Sequence, residues 1–280
     1  MIFEKWQALG NDYIVLEADR VELELTAKRI RAICAKHFGC DSDGIVLVGR
    51  SDDPAHVAEL RIFNPDGSEA ELSGNGAREA VLYLRRAGWT DQDKFTVLTP
   101  SGVIEPTLTG PGAASIAMGA ASTRSPDYPS GPTGGLGTIA VGDQPREFQH
   151  VSIGNPQCAI EIEAGLEELD LPAVGPAIEG SELFPNRSNV SFWQRSGPGR
   201  IRARIFERGV GETLSSGTGA CGAAVAAHLR GLPSPITVEL DGGELEVEIG
   251  EDLEIRLTGT ASPVFAGEFS PEFVAELERL

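Results

Sequence analysis

Two serines stand at matched places in this 280-residue sequence. Ser216 opens the run Ser216-Gly217-Thr218-Gly219-Ala220, and Ser73 opens Ser73-Gly74-Asn75-Gly76-Ala77. Each turn joins a hydroxyl to glycines and leads into a stretch of small or apolar helix formers. A helix that starts behind such a turn leaves its first N–H groups pointing at whatever lies ahead of it, which suits a carboxylate or another anion. The plainer reading is that the glycines let a helix pack closely on a sheet.

The two turns belong to a longer repeat. Arg61-Ile62-Phe63 and Arg204-Ile205-Phe206 lie 143 residues apart, and the same offset pairs Glu69 with Glu212, Ser73 with Ser216, Gly74 with Gly217, Gly76 with Gly219, Ala77 with Ala220 and Ala80 with Ala223. One gapless register with nine identities marks two related halves, each supplying a strand, a Ser-Gly-x-Gly-Ala turn and a central helix. If the halves face each other about a pseudo-twofold axis, one cleft receives a serine and a helix start from each side. A small carboxylate would fit between them.

The elements that must hold these turns are readable in outline. Phe3 to Glu17 forms two short runs around the polar Gly10-Asn11-Asp12, a hairpin signal. Thr26 to His37 reads as an amphipathic helix, with Ile30, Ile33 and Cys34 on one face. Ile45 to Val48 and Ala58 to Phe63 read as strands, Ala77 to Arg86 as the first central helix, and Ser115 to Met118 as a short strand. Ser125 to Gly137 is expected to be an exposed loop, and Leu166 to Ile178 to be helical in part. The second central helix, Ala220 to Leu229, carries almost no charge before Arg230 and should be buried on all sides. Asp241-Gly242-Gly243 breaks a strand alternation into a hairpin, and Ser270 caps a closing helix with Pro271 at its first position.

Composition narrows the class. The chain has 23 Lys and Arg against 42 Asp and Glu, a net charge of −19, which argues against nucleic acid or an anionic membrane as partner. No apolar run approaches the roughly 18 residues that would cross a bilayer, so a cytoplasmic location is expected. Cys34, Cys40, Cys158 and Cys221 show no Cys-x-x-Cys spacing and read as reduced small hydrophobes. The four histidines have no metal-ligand spacing, and no metal is expected.

Six motifs then stand in order: Gly-Asn-Asp-Tyr at 10–13, Phe-Asn-Pro-Asp-Gly-Ser at 63–68, Ser-Gly-Asn-Gly-Ala-Arg at 73–78, Gly-Asn-Pro at 154–156, Arg-Ser-Asn-Val at 187–190, and Glu-Arg-Gly-Val-Gly-Glu-Thr at 207–213. On these the chain resembles the diaminopimelate epimerases, pyridoxal-independent amino-acid epimerases, through nearly its full length. The resemblance implies an α+β fold of two pseudo-symmetric domains, each a mostly antiparallel sheet around a central helix. The expected division is residues 1–120, closed by 265–280, and 121–264. It implies interconversion of LL- and meso-2,6-diaminopimelate by two acid–base groups on opposite faces of the α-carbon, without a cofactor, in lysine and peptidoglycan precursor biosynthesis. It leaves a homodimer open.

Carried over position by position, the resemblance puts Ser73 and Ser216 in the two catalytic places. Asn11, Asn64, Asn75, Asn155 and Asn189 would hold polar groups of the substrate, Glu207 its ammonium and Arg208 its distal carboxylate. The amides near Gly74, Asn75, Gly217 and Thr218 would stabilise an enolate-like α-carboxylate. The sequence departs from the family at three of these places: both catalytic cysteines are serine, and Gln157 stands where the family usually has histidine. A poorly matched acid–base group costs on the order of 10²–10⁴ in rate. Two other readings therefore stand beside the first: a related isomerase or racemase for another amino acid, and a diaminopimelate-binding homologue without turnover.

Overall fold

The computed structural model describes residues 1–70 and 73–280. In chain order the strands are β1 (Ile2–Ala8), β2 (Asn11–Glu17), β3 (Ile45–Gly49), β4 (Ala58–Phe63), β5 (Glu69–Ala70), β6 (Val97–Thr99), β7 (Gly102–Ile104), β8 (Thr107–Gly110), β9 (Ala113–Ala120), β10 (Leu136–Val141), β11 (Gln144–Ser152), β12 (Pro156–Glu161), β13 (Asn189–Gly197), β14 (Arg200–Glu207), β15 (Gly211–Thr213), β16 (Ile236–Leu240), β17 (Gly243–Ile249), β18 (Glu254–Thr260) and β19 (Ser262–Glu268). The helices are α1 (Ala27–Cys34), α2 (Gly74–Arg86), α3 (Leu171–Glu179), α4 (Gly217–Leu229) and α5 (Pro271–Glu278).

The chain divides into two compact units, residues 1–116 with 259–280, and residues 117–258. Both crossings fall inside strands, in β9 and in β18. The expected division left 259–264 with the second half and 117–120 with the first. β19 instead pairs along β1 from Gln7↔Ser262 to Ile2↔Glu268, so its backbone hydrogen bonds commit the whole strand to the first unit.

In the first unit the sheet runs β19-β1-β2-β3-β4-β6-β7, with β5 on β4. In the second it runs β10-β11-β12-β13-β14-β16-β17-β18, with β15 on β14. The first seven strands of each correspond one to one. Both contain parallel pairs at the third and fifth junctions, β2·β3 and β4·β6 in one, β12·β13 and β14·β16 in the other, and antiparallel pairs elsewhere. These are two mixed α+β sheets of like topology, as the internal repeat requires.

Each sheet curls around its central helix. In α2 every residue from Asn75 to Leu84 is buried, and in α4 every residue from Gly219 to Ala227. α4 tolerates this because Ala, Gly and Cys side chains let strands approach on all sides. The glycines of the turns have a specific cause: a Cβ on Gly219 would lie 2.8 Å from Ile205 Cδ1, and one on Gly76 would lie 3.2 Å from Ile62 Cδ1. Ile62 and Ile205 are themselves equivalent in the repeat, so both helices enter over the same isoleucine of the preceding strand.

Two local expectations needed correction. α1 stops at Cys34 rather than reaching His37: the Cys40 N–H takes the Ile33 carbonyl at 2.7 Å, and Gly39 packs against the Ala32 and Ile33 carbonyls with no room for a Cβ. The stretch expected to be helical in part holds α3, which starts at Leu171, where Asp170 caps the Ala173 N–H at 3.1 Å. The segment 125–137 is not exposed throughout, because Tyr128 is buried with its ring 5.3 Å from Phe148 and 5.7 Å from Phe184, anchoring the loop to the second core.

Candidate active site

Ser73 and Ser216 are the N-cap residues of α2 and α4. Each has extended backbone and uses Oγ to accept the N–H three residues on: Gly76 N–H to Ser73 at 3.2 Å, and Gly219 N–H to Ser216 at 3.3 Å. Intrahelical bonding starts with the Ala77 N–H to the Ser73 carbonyl and the Ala220 N–H to the Ser216 carbonyl. The amides of Gly74 and Asn75, and of Gly217 and Thr218, therefore sit in the first turns of helices whose positive ends carry a serine.

In the first unit, the Asn75 amide donates to Asn11 Oδ1 at 3.0 Å, and Asn11 in turn donates to Asp43 Oδ2 at 2.7 Å. Arg78, wholly buried, donates to Asn75 Oδ1 at 2.6 Å and to the Gly74 carbonyl at 3.2 Å. Asn11, Gly74, Asn75 and Arg78 are thus one hydrogen-bonded group. Asn64 lies in the turn after β4, where its side-chain amide donates to Ser68 Oγ at 2.9 Å. Tyr13 completes the half-site by donating its phenol proton to Ser73 Oγ at 3.2 Å. The sequence reading missed Tyr13. The shift that superposes Gly10-Asn11 on Gly154-Asn155 also places it opposite Gln157, which was recognised as a site neighbour.

In the second unit, the Asn155 amide donates to Thr218 Oγ1 at 3.2 Å, repeating the Asn11–Asn75 contact, since Thr218 is the counterpart of Asn75. Gln157, fully buried, donates to Asn155 Oδ1 at 2.8 Å. Ser216 donates to Glu207 Oε2 at 2.9 Å, and Thr213 donates to Oε1 of the same carboxylate at 2.8 Å. The buried Asn189 accepts the Arg208 N–H at 2.8 Å, while the exposed Arg208 guanidinium donates to the Asn186 carbonyl at 2.9 Å. Glu207, Arg208, Asn189 and Ser216 are therefore gathered at the end of β14 and the start of α4.

The four cysteines are free thiols, and burial pushes Cys34 up to about 11 and Cys158 higher still. Cys221 is buried within α4, away from its first turn. None is a substitute for the serines. Among the described residues no group of three or more His, Cys, Asp and Glu could hold a metal ion.

Two units, each a mixed sheet wrapped around a capped central helix, define the fold class. Solved structures of that shape include a PhzF-family phenazine biosynthesis protein from Bacillus anthracis, with a TM-score of 0.68 at 17% identity, covering 96% of this chain and 99% of the other. A hydroxyproline epimerase from Agrobacterium vitis matches with a TM-score of 0.67 at 14% identity, covering 95% and 91%. These establish the fold alone.

Sequence carries the identification further. The family described as "Diaminopimelate epimerase" matches residues 3–124 and 149–264. The diaminopimelate epimerase of Nitrosospira multiformis is 37% identical over 284 residues, 97% of this chain and 99% of the relative, and that of an Azoarcus species is 39% identical over 270 residues, 95% and 97%. The chain belongs to the diaminopimelate epimerase family.

Proposed function

We propose that the protein is a diaminopimelate epimerase that interconverts LL- and meso-2,6-diaminopimelate with Ser73 and Ser216 as the two acid–base groups. The observation that carries this reading is the repetition of one device: a serine N-cap on a buried helix, flanked by a side-chain amide hydrogen-bonded to the first turn, built once in each unit. Inverting a stereocentre needs a proton removed on one face and returned on the other, so a duplicated half-site is the arrangement the reaction asks for.

In this reading Ser216 takes the α-proton on one face and Ser73 returns one on the other, or the reverse. The first-turn amides at Gly74, Asn75, Gly217 and Thr218 hold the α-carboxylate as negative charge grows on it. Asn11, Asn64, Asn155 and Asn189 fix the remaining polar groups, Glu207 meets the ammonium beside Ser216, and Arg208 receives the distal carboxylate. Gln157 orients Asn155. The place of the enzyme is in lysine and peptidoglycan precursor biosynthesis, and its location the cytoplasm. A homodimer is supported by β19, an edge strand that exposes Val264 and Phe265, since an apolar edge invites a partner strand.

The test is α-proton exchange: the protein is incubated with LL- or meso-diaminopimelate in D₂O and the α-proton signal followed by NMR, with the LL:meso ratio read by chiral chromatography. Exchange with interconversion supports the proposal. Tight binding of diaminopimelate without exchange would replace it with the silent-binder reading, and exchange only with another amino acid would move the substrate.

A further inference from the structure

The two serines are served by different partners, and that difference suggests separate tasks for them. A hydroxyl oxygen has two lone pairs and one proton. On Ser73 the oxygen accepts twice, from the Gly76 N–H at 3.2 Å and from the Tyr13 phenol at 3.2 Å, so the remaining capacity of that side chain is its own proton. On Ser216 the oxygen accepts from Gly219, and the proton is already directed at the Glu207 carboxylate at 2.9 Å. The residue at the Tyr13 position of the second unit, Gln157, turns to Asn155 and makes no such bond to its serine.

Tyr13 is held for this contact. It is 5% exposed on β2, and its ring lies between two glycines. A Cβ on Gly44 would come within 2.7 Å of its Cε1 and would also collide with the Phe63 carbonyl, while a Cβ on Gly76 would lie 3.5 Å from its Cζ. Gly76 belongs to the Ser73 turn itself, so the helix cap and the phenol are packed as one piece.

We propose that Tyr13 is the proton-relay partner of Ser73. The inference rests on the epimerase reading. In the return half of the reaction, the Ser73 O–H bond breaks as its proton passes to the α-carbanion. The Tyr13 O–H bond breaks as its proton passes to Ser73 Oγ. Ser73 ends as a neutral alcohol and Tyr13 as a phenolate. In the opposite direction the phenolate recovers the proton from Ser73 while Ser73 takes one from the α-carbon. No electron leaves or enters. The relay answers the difficulty of a serine in a cysteine's place: the negative charge comes to rest on a phenol, an acid of reference pKa about 10, rather than on an aliphatic alkoxide.

The experiment is Tyr13→Phe, which keeps the ring between its glycines, made in the parent protein and again in a Ser73→Cys background, with kcat and KM of α-proton exchange measured on LL- and meso-diaminopimelate. In the parent, kcat should fall about 10²-fold with KM within about threefold. In the Ser73→Cys background the same change should cost less than about 10-fold, because a thiol of reference pKa about 8.5 stores the charge itself. An equal loss in both backgrounds, or no loss in the parent, overturns the relay and leaves the epimerase reading standing. Absence of exchange in the parent itself overturns both. A thermal melt on each variant separates loss of relay from loss of fold: a Tyr13→Phe protein melting with its parent while kcat drops supports the relay, and a kcat loss that tracks a lowered melting temperature in both backgrounds overturns it.

Discussion

Ser216 Oγ gives its proton to Glu207 Oε2 at 2.9 Å, while the other oxygen of that carboxylate is taken by Thr213 at 2.8 Å. Glu207 ends β14 and Ser216 caps α4, so the bond ties the last residue of a strand to the N-cap of the central helix. A carboxylate holding two hydroxyl protons is an acceptor in both directions, which is the polarity a proton-abstracting serine needs. Glu207→Gln puts an NH₂ donor where one hydroxyl must donate. The exchange rate should fall on the order of 10²-fold or more, with the fold intact by circular dichroism.

The serines themselves set the next expectation. Cysteine is the better acid–base group near neutral pH, and both serines sit at helix N-termini, which favour a thiolate. Ser73→Cys with Ser216→Cys should raise the α-proton exchange rate by about 10-fold or more, whereas Ser216→Ala should remove interconversion altogether. Chiral chromatography of the LL and meso forms reads both.

The repeat also places two ion pairs at equivalent points, and they should differ in worth. Arg61 reaches Glu69 at 2.8 Å with side chains 53% and 34% exposed; Arg204 reaches Glu212 at 2.7 Å with 13% and 24% exposed. Arg204 also donates to the Leu166 and Leu169 carbonyls at 2.9 and 2.8 Å. Arg204→Ala strands a half-buried carboxylate and two carbonyls and should cost about 3 kcal/mol. Arg61→Ala removes a solvated pair and should cost about 1 kcal/mol or less. Urea unfolding of the two variants measures the gap.

Crowding at the turns orders another pair. Gly219→Ala meets Ile205 at 2.8 Å from two of its carbons, Gly76→Ala meets Ile62 at 3.2 Å. The first should destabilise by about 1–3 kcal/mol through overpacking and shift the Ser216 cap with it; the second should cost less. Melting temperatures rank them.

Glu79, wholly buried in α2, is held well above the usual carboxylate range, first by burial and then by Asp12 and Asp43, against the pull of Arg78 and the Tyr13 backbone. The folded state thus keeps a proton that the unfolded chain releases near 4.5. Stability from this group is full below that pH and declines as pH rises toward the folded value, by about 1.4 kcal/mol per pH unit while only the unfolded form is ionised. Unfolding free energy of Glu79→Gln, measured from pH 4 to 8 beside the parent, should show a flatter decline. Parallel curves would refute the assignment.

Much of this was legible in the amino-acid sequence. The nine identities at one offset announced two like units, and the turn glycines lead into the central helices as local pattern put them, although both helices start three residues earlier than that pattern marked. What repeats locally can be read locally, because a cap or a tight turn is made by neighbours in the chain. The helix boundary at Cys34 was harder, since it depends on which backbone groups find partners beyond the periodic stretch.

The contacts that distinguish the two serines lay outside that reach. Tyr13 is 60 residues from Ser73, and no periodicity joins them; only the parallel pairing of β2 with β3, and the seating of α2 over that sheet, bring a phenol to the cap. Sequence by itself determined that there are two like turns, and that each opens with a serine. Tertiary structure decided that one serine leans on a phenol and the other on a carboxylate, because long-range packing, unlike a local turn, need not obey the symmetry of the repeat that produced it.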